Sequence, residues 1–224
     1  MKLFIGFGEL AKALISLTSS NEKIYVFSRS TEKIVEAQKQ DQRIVQVTED
    51  QLHQVSHAFI TLPSTAYEPF FTSYGHLFTD DTVFYHCATA LMVEDIEAFI
   101  SHGSVVPFKC VGQAAQIRRD QKVVFVTPKK HLSEVSHLKD WFGEKVSIVA
   151  GSEQQVLAAN KEATRAAVEM AVDLKEKLRQ QGLPDEIIQQ SLEVTTRGVI
   201  QAFSDGKLGG FGKTVIKEIE DQRK

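Results

Sequence analysis

The hydrophobic positions of this chain fall into two textures. Through about residue 150, short apolar runs rich in β-branched residues alternate with stretches of helical period. Strands are predicted at 2–6, 24–27, 44–47, 57–62, 82–87, 104–106, 122–126 and 146–149. Helices are predicted at 9–19, 31–39, 49–53, 65–76, 92–101 and 131–141, with a turn near 113–117. Such alternation predicts a mostly parallel sheet covered on both faces, with right-handed crossovers. From Ser152 to Gln181 the strand signal disappears and Ala, Glu, Lys, Leu and Gln dominate, all strong helix formers. Gly182 then reads as a helix C-cap and Pro184 as the start of a second helix to about residue 204. The glycine-rich segment Gly206–Gly212 and a short last helix follow.

One strand ending carries chemistry. Leu3-Phe4-Ile5 runs into Gly6-Phe7-Gly8-Glu9-Leu10-Ala11. Gly6 takes the backbone angles of a tight strand-to-helix turn, Gly8 lets a pyrophosphate approach the backbone, and Ala11 allows close helix–strand packing. The helix start adds free N–H groups and the positive end of its dipole. Ile24–Phe27 reads as the second strand of the βαβ unit, and at its tip stands Ser28-Arg29-Ser30-Thr31, with no acid before Glu32. A carboxylate there would hold ribose hydroxyls and repel a 2′-phosphate, whereas arginine with hydroxyls binds that phosphate through charge-assisted hydrogen bonds. The expected cofactor is therefore NADP(H). The expected fold class is α/β: a Rossmann-type doubly wound, mostly parallel sheet over residues 1–150, then a small all-α C-terminal domain over 151–224.

Composition narrows the function classes. In 224 residues, 42% are hydrophobic and 25% charged, the profile of an ordinary soluble globular protein. A formal net charge of −3 gives no reason to expect nucleic acid or a membrane surface as a partner. No run approaches the ~18 apolar residues of a membrane helix. The first strand begins at residue 2, which leaves no room for a targeting peptide, so a cytoplasmic location is expected. Cys87 and Cys110 form no C-x-x-C and are expected as buried free thiols. Ala158, Ala159, Ala163, Ala166, Ala167 and Ala171 suggest close helix–helix contact, either with another subunit, as in a homodimer or higher homo-oligomer, or with the first domain.

At this point the sequence resembles the pyrroline-5-carboxylate reductase family. Ile5-Gly6-Phe7-Gly8-Glu9-Leu10-Ala11-Lys12-Ala13-Leu14 is similar to that family's I-G-x-G-N-M-A-x-A-L, and Ser28-Arg29-Ser30 to its N-R-[ST]. Thr61-Leu62-Pro63-Ser64 lies where the family has V-K-P-Q. Gly182-Leu183-Pro184 through Thr195-Thr196-Arg197-Gly198 keeps its G-L-P and T-x-x-G spacing, and Leu208-Gly209-Gly210 followed by Ile219-Glu220 resembles its P-G-G-T-T…L-E. The resemblance runs over nearly the whole chain. It implies an NADP-dependent reductase of proline synthesis acting on a small-molecule substrate. Cofactor binding would fall to Gly6, Phe7, Gly8, Glu9, Leu10, Ala11, Ser28, Arg29, Ser30, Leu62, Pro63 and Ser64. Gly209 and Gly210 would bind the substrate carboxylate, and Thr195, Thr196 or Thr214 would donate a hydroxyl.

The substrate end departs from the pattern. The family's S-G-S-G-P-A-Y would fall near Asn160–Ala166 and is not there, and its M-P-N has no match around Phe108-Lys109-Cys110. The two threonines after the glycine pair are Phe211 and Gly212 here. Two readings therefore stand: a reductase of a cyclic imine, and a non-catalytic or regulatory relative that keeps the nucleotide. A reductase with another acceptor, such as a deazaflavin, lies between them.

Other motifs carry less. Gly212-Lys213-Thr214 lacks the glycine a phosphate loop needs at position 207 and follows a helix. His53 and His57 have ligand spacing, but residues 55–59 read as a strand start with no third ligand, so no metal is expected. His86 ends a strand beside the expected cleft, where it is either a solvated strand-end histidine or a contact for nicotinamide or substrate. Arg118-Arg119 and Lys129-Lys130 read as solvated loop charges.

Overall fold

The computed structural model describes residues 1–223. The chain divides into two compact units, Met1–Lys161 and Glu162–Lys224.

The first unit is built on a six-stranded sheet. Its strands are β1 (Lys2–Ile5), β2 (Ile24–Phe27), β3 (Ile44–Gln46), β4 (His57–Ile60), β5 (Val83–His86) and β6 (Ser104–Pro107). Their order is β3-β2-β1-β4-β5-β6, and every neighbouring pair is parallel. Side chains alternate between faces along each strand. Phe4, Val26, Phe59, Tyr85 and Val106 enter one core with α1 (Glu9–Leu17) and with Ile34 of α2 (Thr31–Gln40). Leu3, Ile5, Ala58, Ile60 and Phe84 enter the other with α3 (Tyr67–Tyr74) and with Ile96 of α4 (Val93–Glu97). Both faces are covered, the condition under which all-parallel sheets occur.

The predicted strands do not all join this sheet. Pro107 ends β6, and a second sheet follows with order β7-β8-β9: β7 (Lys109–Val111), β8 (Val123–Thr127) and β9 (Val146–Ala150). β7 pairs antiparallel with β8, and β8 parallel with β9. β7 has three residues and opens with a lysine, so periodicity does not reveal it. Phe108 and Phe125 stack at 4.0 Å between ring centroids within the core they share with the first sheet.

Two helices are shorter than their patterns suggest. The 92–101 pattern forms a helix only as α4, and the 131–141 pattern only as α6 (His137–Phe142). The turn near 113–117 is instead α5 (Ala114–Asp120), with the Gln113 side chain accepting from the Gln116 N–H at its start. Helix α7 (Glu153–Gln180) crosses from one unit to the other. Its first turns belong to the first unit because Glu153 and Val156 are buried there, while Asn160 bridges the Cys110 carbonyl and the Gly112 N–H.

The second unit is helical. α8 (Asp185–Gln190), a π-helical stretch (Ser191–Thr196) and α9 (Arg197–Ser204) run on without a break, and α10 (Gly210–Gln222) follows.

Candidate dinucleotide site

The strand order reverses between β1 and β4, and ligands of open α/β sheets bind outside the carboxyl ends of the strands at such a switch point. The glycine turn lies there. Gly6 has φ +93°, and its N–H donates to the Phe27 carbonyl at 2.9 Å. A Cβ at Gly6 would stand 3.0 Å from Leu62 Cδ2 and 3.3 Å from the Thr61 carbonyl oxygen. Glycine is therefore required at position 6 by both conformation and space. Thr61 braces the turn from β4: its hydroxyl donates to the Ile5 carbonyl at 2.9 Å, with the Gly6 carbonyl at 3.2 Å.

Gly8 differs. A Cβ there would meet nothing within 4 Å, so its missing side chain leaves an open approach. It is the N-cap of α1 and has no side-chain cap. The first helical hydrogen bond runs from Lys12 to Gly8. The N–H groups of Glu9, Leu10 and Ala11 precede that bond and have no acceptor inside the helix. The Glu9 carboxylate is drawn to Lys12 Nζ at 3.2 Å. Ala11 is fully buried, as close helix–strand packing demands.

At the tip of β2, Arg29 and Ser30 are exposed and Ser28 half-buried. Among the described residues the Arg29 guanidinium has no ion pair or hydrogen bond. The Ser30 hydroxyl does not cap α2, although Ser30 is its N-cap. After β4, Leu62 lies over Gly6, and Pro63 opens a short 3-10 turn over Ser64–Ala66. The structure thus gathers Gly6–Ala11, Ser28–Ser30 and Leu62–Ser64 along the carboxyl ends of three adjacent strands. An uncapped helix start, a vacant Cβ position and a free guanidinium fit a pyrophosphate and a 2′-phosphate.

His86 corrects its expectation as a solvated strand-end residue. It has no exposed surface. Its Nδ1 pairs with the Tyr67 hydroxyl at 3.0 Å and its Nε2 with the Leu91 carbonyl at 3.0 Å. Burial first, then the nearby Lys109 charge, push its pKa down to about 3. The ring is neutral, with Nε2–H donating to Leu91. Cys87 and Cys110 are buried free thiols, each pushed up to about 12 by burial. His57 joins no ligand set with His53. It lies 3.0 Å from the Tyr85 hydroxyl through Nδ1, with His137 Nε2 3.3 Å from the same oxygen.

The remaining candidates belong to the second unit. Gly209 and Gly210 form the N-terminus of α10, and Thr214 Oγ1 donates back to the Gly210 carbonyl at 3.2 Å. Thr195 lies exposed in the π-helical stretch, while the Thr196 hydroxyl is spent on the Ser191 carbonyl at 2.9 Å. Sequence reasoning missed Thr61 as a brace and also missed Tyr67, Lys109 and Glu153. The bracing role of Thr61 is visible only once its two acceptors are seen, and the others act across large sequence separations.

Residues 3–83 match the family model described as NADP oxidoreductase, coenzyme F420-dependent. No curated protein matches the chain. Among solved structures, a pyrroline-5-carboxylate reductase from Coxiella burnetii superposes with a TM-score of 0.67 at 15% identity, covering 99% of this chain and 90% of that one. The 1-pyrroline-5-carboxylate reductase of Streptococcus pyogenes gives 0.65 at 17% identity, covering 94% and 81%. A pyrroline carboxylate reductase of Plasmodium falciparum, solved with NADP bound, gives 0.64 at 11% identity, covering 99% and 90%. The fold is that of the pyrroline-5-carboxylate reductases.

Proposed function

We propose that this protein is an NADPH-dependent oxidoreductase that reduces the C=N bond of a cyclic imine of the pyrroline-5-carboxylate type. The observation that carries the reading is the open Gly8 helix start combined with the free Arg29 guanidinium at the tip of β2. The matched NADP oxidoreductase model and the shared fold support it. When bound, the cofactor supplies the hydride. The N–H groups of Glu9–Ala11 and the Arg29 guanidinium would hold its phosphates. A protonated imine is already electrophilic: its carbon takes the hydride, the C=N bond becomes C–N, and the nitrogen keeps its proton. The residues need only orient substrate at near-attack distance. The N–H groups at Gly209 and Gly210 are candidates to hold the substrate carboxylate, and Thr195 and Thr214 to donate a hydroxyl.

Self-association through the helical unit belongs to the same reading. Ala163, Ala166 and Ala167 are exposed there, and Phe203 and Phe211 are 63% and 86% exposed. Large apolar surface of this kind marks an interaction site. A second copy of the chain, in a homodimer or larger homo-oligomer, is the occupant we propose. No helix among the described residues is long and apolar enough to cross a membrane. A cytoplasmic location is part of the proposal.

The test pairs NADPH fluorescence titration with an NADPH-oxidation assay on pyrroline-5-carboxylate. Binding and turnover are expected. Arg29→Asp should weaken NADPH by about tenfold or more and NADH by less than about threefold. Tight NADPH binding without turnover would favour the non-catalytic relative, a reading supported by Phe211 and Gly212 in place of two threonines. Equal losses for both nucleotides would remove the 2′-phosphate argument.

A further inference from the structure

Residues 88–92 connect the carboxyl end of β5 to α4 without regular structure. Ala90, at the middle of the segment, is exposed. Buried side chains from elsewhere nevertheless hold three backbone groups of the segment and the N–H of Val93 that follows it. Lys109 Nζ, from β7, donates to the Ala88 carbonyl and to the Leu91 carbonyl, the latter at 2.7 Å. The Ala88 N–H donates to the Tyr67 hydroxyl at 3.3 Å. Glu153, the first residue of α7, accepts from the Val93 N–H at 3.1 Å through Oε2, and its Oε1 lies 3.0 Å from Lys109 Nζ. Lys109 is 1% exposed and Glu153 6%.

A buried ion pair is a poor way to add stability, because desolvation offsets the attraction between the charges. Two carbonyls and an N–H could also be satisfied by neutral partners. A displacement that separates the pair would leave an uncompensated buried charge, which is strongly destabilising. The place of the pair is informative. β5 lies beside β4, on the opposite side of the switch point from β2. A dinucleotide with its 2′-phosphate at Arg29 and its pyrophosphate at Gly8 directs its other half toward the carboxyl ends of β4 and β5.

We propose that Lys109 and Glu153 are positioning residues that hold the 88–92 segment as a rigid wall for the nicotinamide half of the cofactor. The inference rests on the nucleotide reading given above. It assigns the pair no direct contact with cofactor or substrate.

Two ligands separate positioning from general stability. NADPH carries the nicotinamide, whereas adenosine 2′,5′-bisphosphate carries only the 2′-phosphate end. In the double variant Lys109→Met/Glu153→Gln, with folding checked by thermal melting, NADPH affinity should fall about tenfold while the bisphosphate changes less than about twofold. The fluorescence enhancement of bound NADPH should fall as well, which a merely structural role would not produce. Should the double variant fail to fold, Glu153→Gln alone keeps an acceptor for the Val93 N–H and should show the same selective loss at smaller size. A folded variant that keeps full NADPH affinity, or loses both ligands equally, overturns the inference. Wild-type protein that binds neither ligand overturns the nucleotide reading, and the inference with it.

Discussion

Met1–Lys161 completely buries Phe4, Phe59, Tyr85 and Phe125, whereas Glu162–Lys224 leaves Val199, Phe203 and Phe211 half or more exposed. The same residue types meet opposite fates in the two units. In the first, strands alternate their side chains into two cores and helices cover both. In the second, amphipathic helices carry apolar faces that the chain itself leaves open. Helices draw most of their stability from packing an apolar face, so an uncovered face points to a partner surface. One unit buries its apolar side chains and carries the candidate nucleotide site, while the other leaves an apolar face exposed, the face for which a second copy is proposed above.

The strongest way to break this comparison is to charge the open face. Val199→Glu combined with Phe203→Glu should raise the self-dissociation constant about 100-fold or more, read by light scattering across a dilution series. A wild-type chain that is monomeric throughout that series would end the idea that the second unit is completed by its own copy. A smaller effect belongs to the first unit. Gly6→Val should cost about 2–3 kcal/mol in denaturant unfolding, from its positive φ and the close approach of Leu62 and Thr61. Gly8→Ala should leave stability unchanged yet weaken NADPH, because its Cβ enters only open space. Similar melting for both variants would show that the turn is not built as described.

Acid offers the gentlest probe. All seven histidines precede Lys161. Burial lowers His57 to about 4 and His86 to about 3, both below the ordinary value of 6.5. A lowered histidine favours the neutral ring in the folded state. Its stabilisation is complete above 6.5 and is lost as pH falls from there toward the folded value. His86 alone should lose about 2 kcal/mol between pH 7 and pH 5, with a smaller loss from the half-buried His57. Hydrogen exchange should place that loss in the first unit. Equal acid loosening of the second unit would contradict the assignment.

The nucleotide end of the site was legible because its signals are local. Gly6, Gly8 and Ala11 fall within six residues, and the turn they make depends on backbone conformation. The fold was legible through the alternation of periods. The second sheet was not, because the break after Pro107 and the three-residue β7 leave no periodic trace. The burial of His86 was not legible for a related reason. A histidine at a strand end looks solvated until Tyr67, the first residue of α3, and Leu91 are placed against it.

By itself, then, the sequence determined the βαβ unit, its glycine turn and an arginine-bearing second strand tip. Periodicity and glycine chemistry act over a few residues and survive without knowledge of the rest. Only the tertiary structure decided which charges are buried. Lys109 and Glu153 are 44 residues apart, and each reads alone as a surface charge. Their burial follows from folding β7 and the start of α7 against the loop after β5, a long-range arrangement that no local pattern encodes.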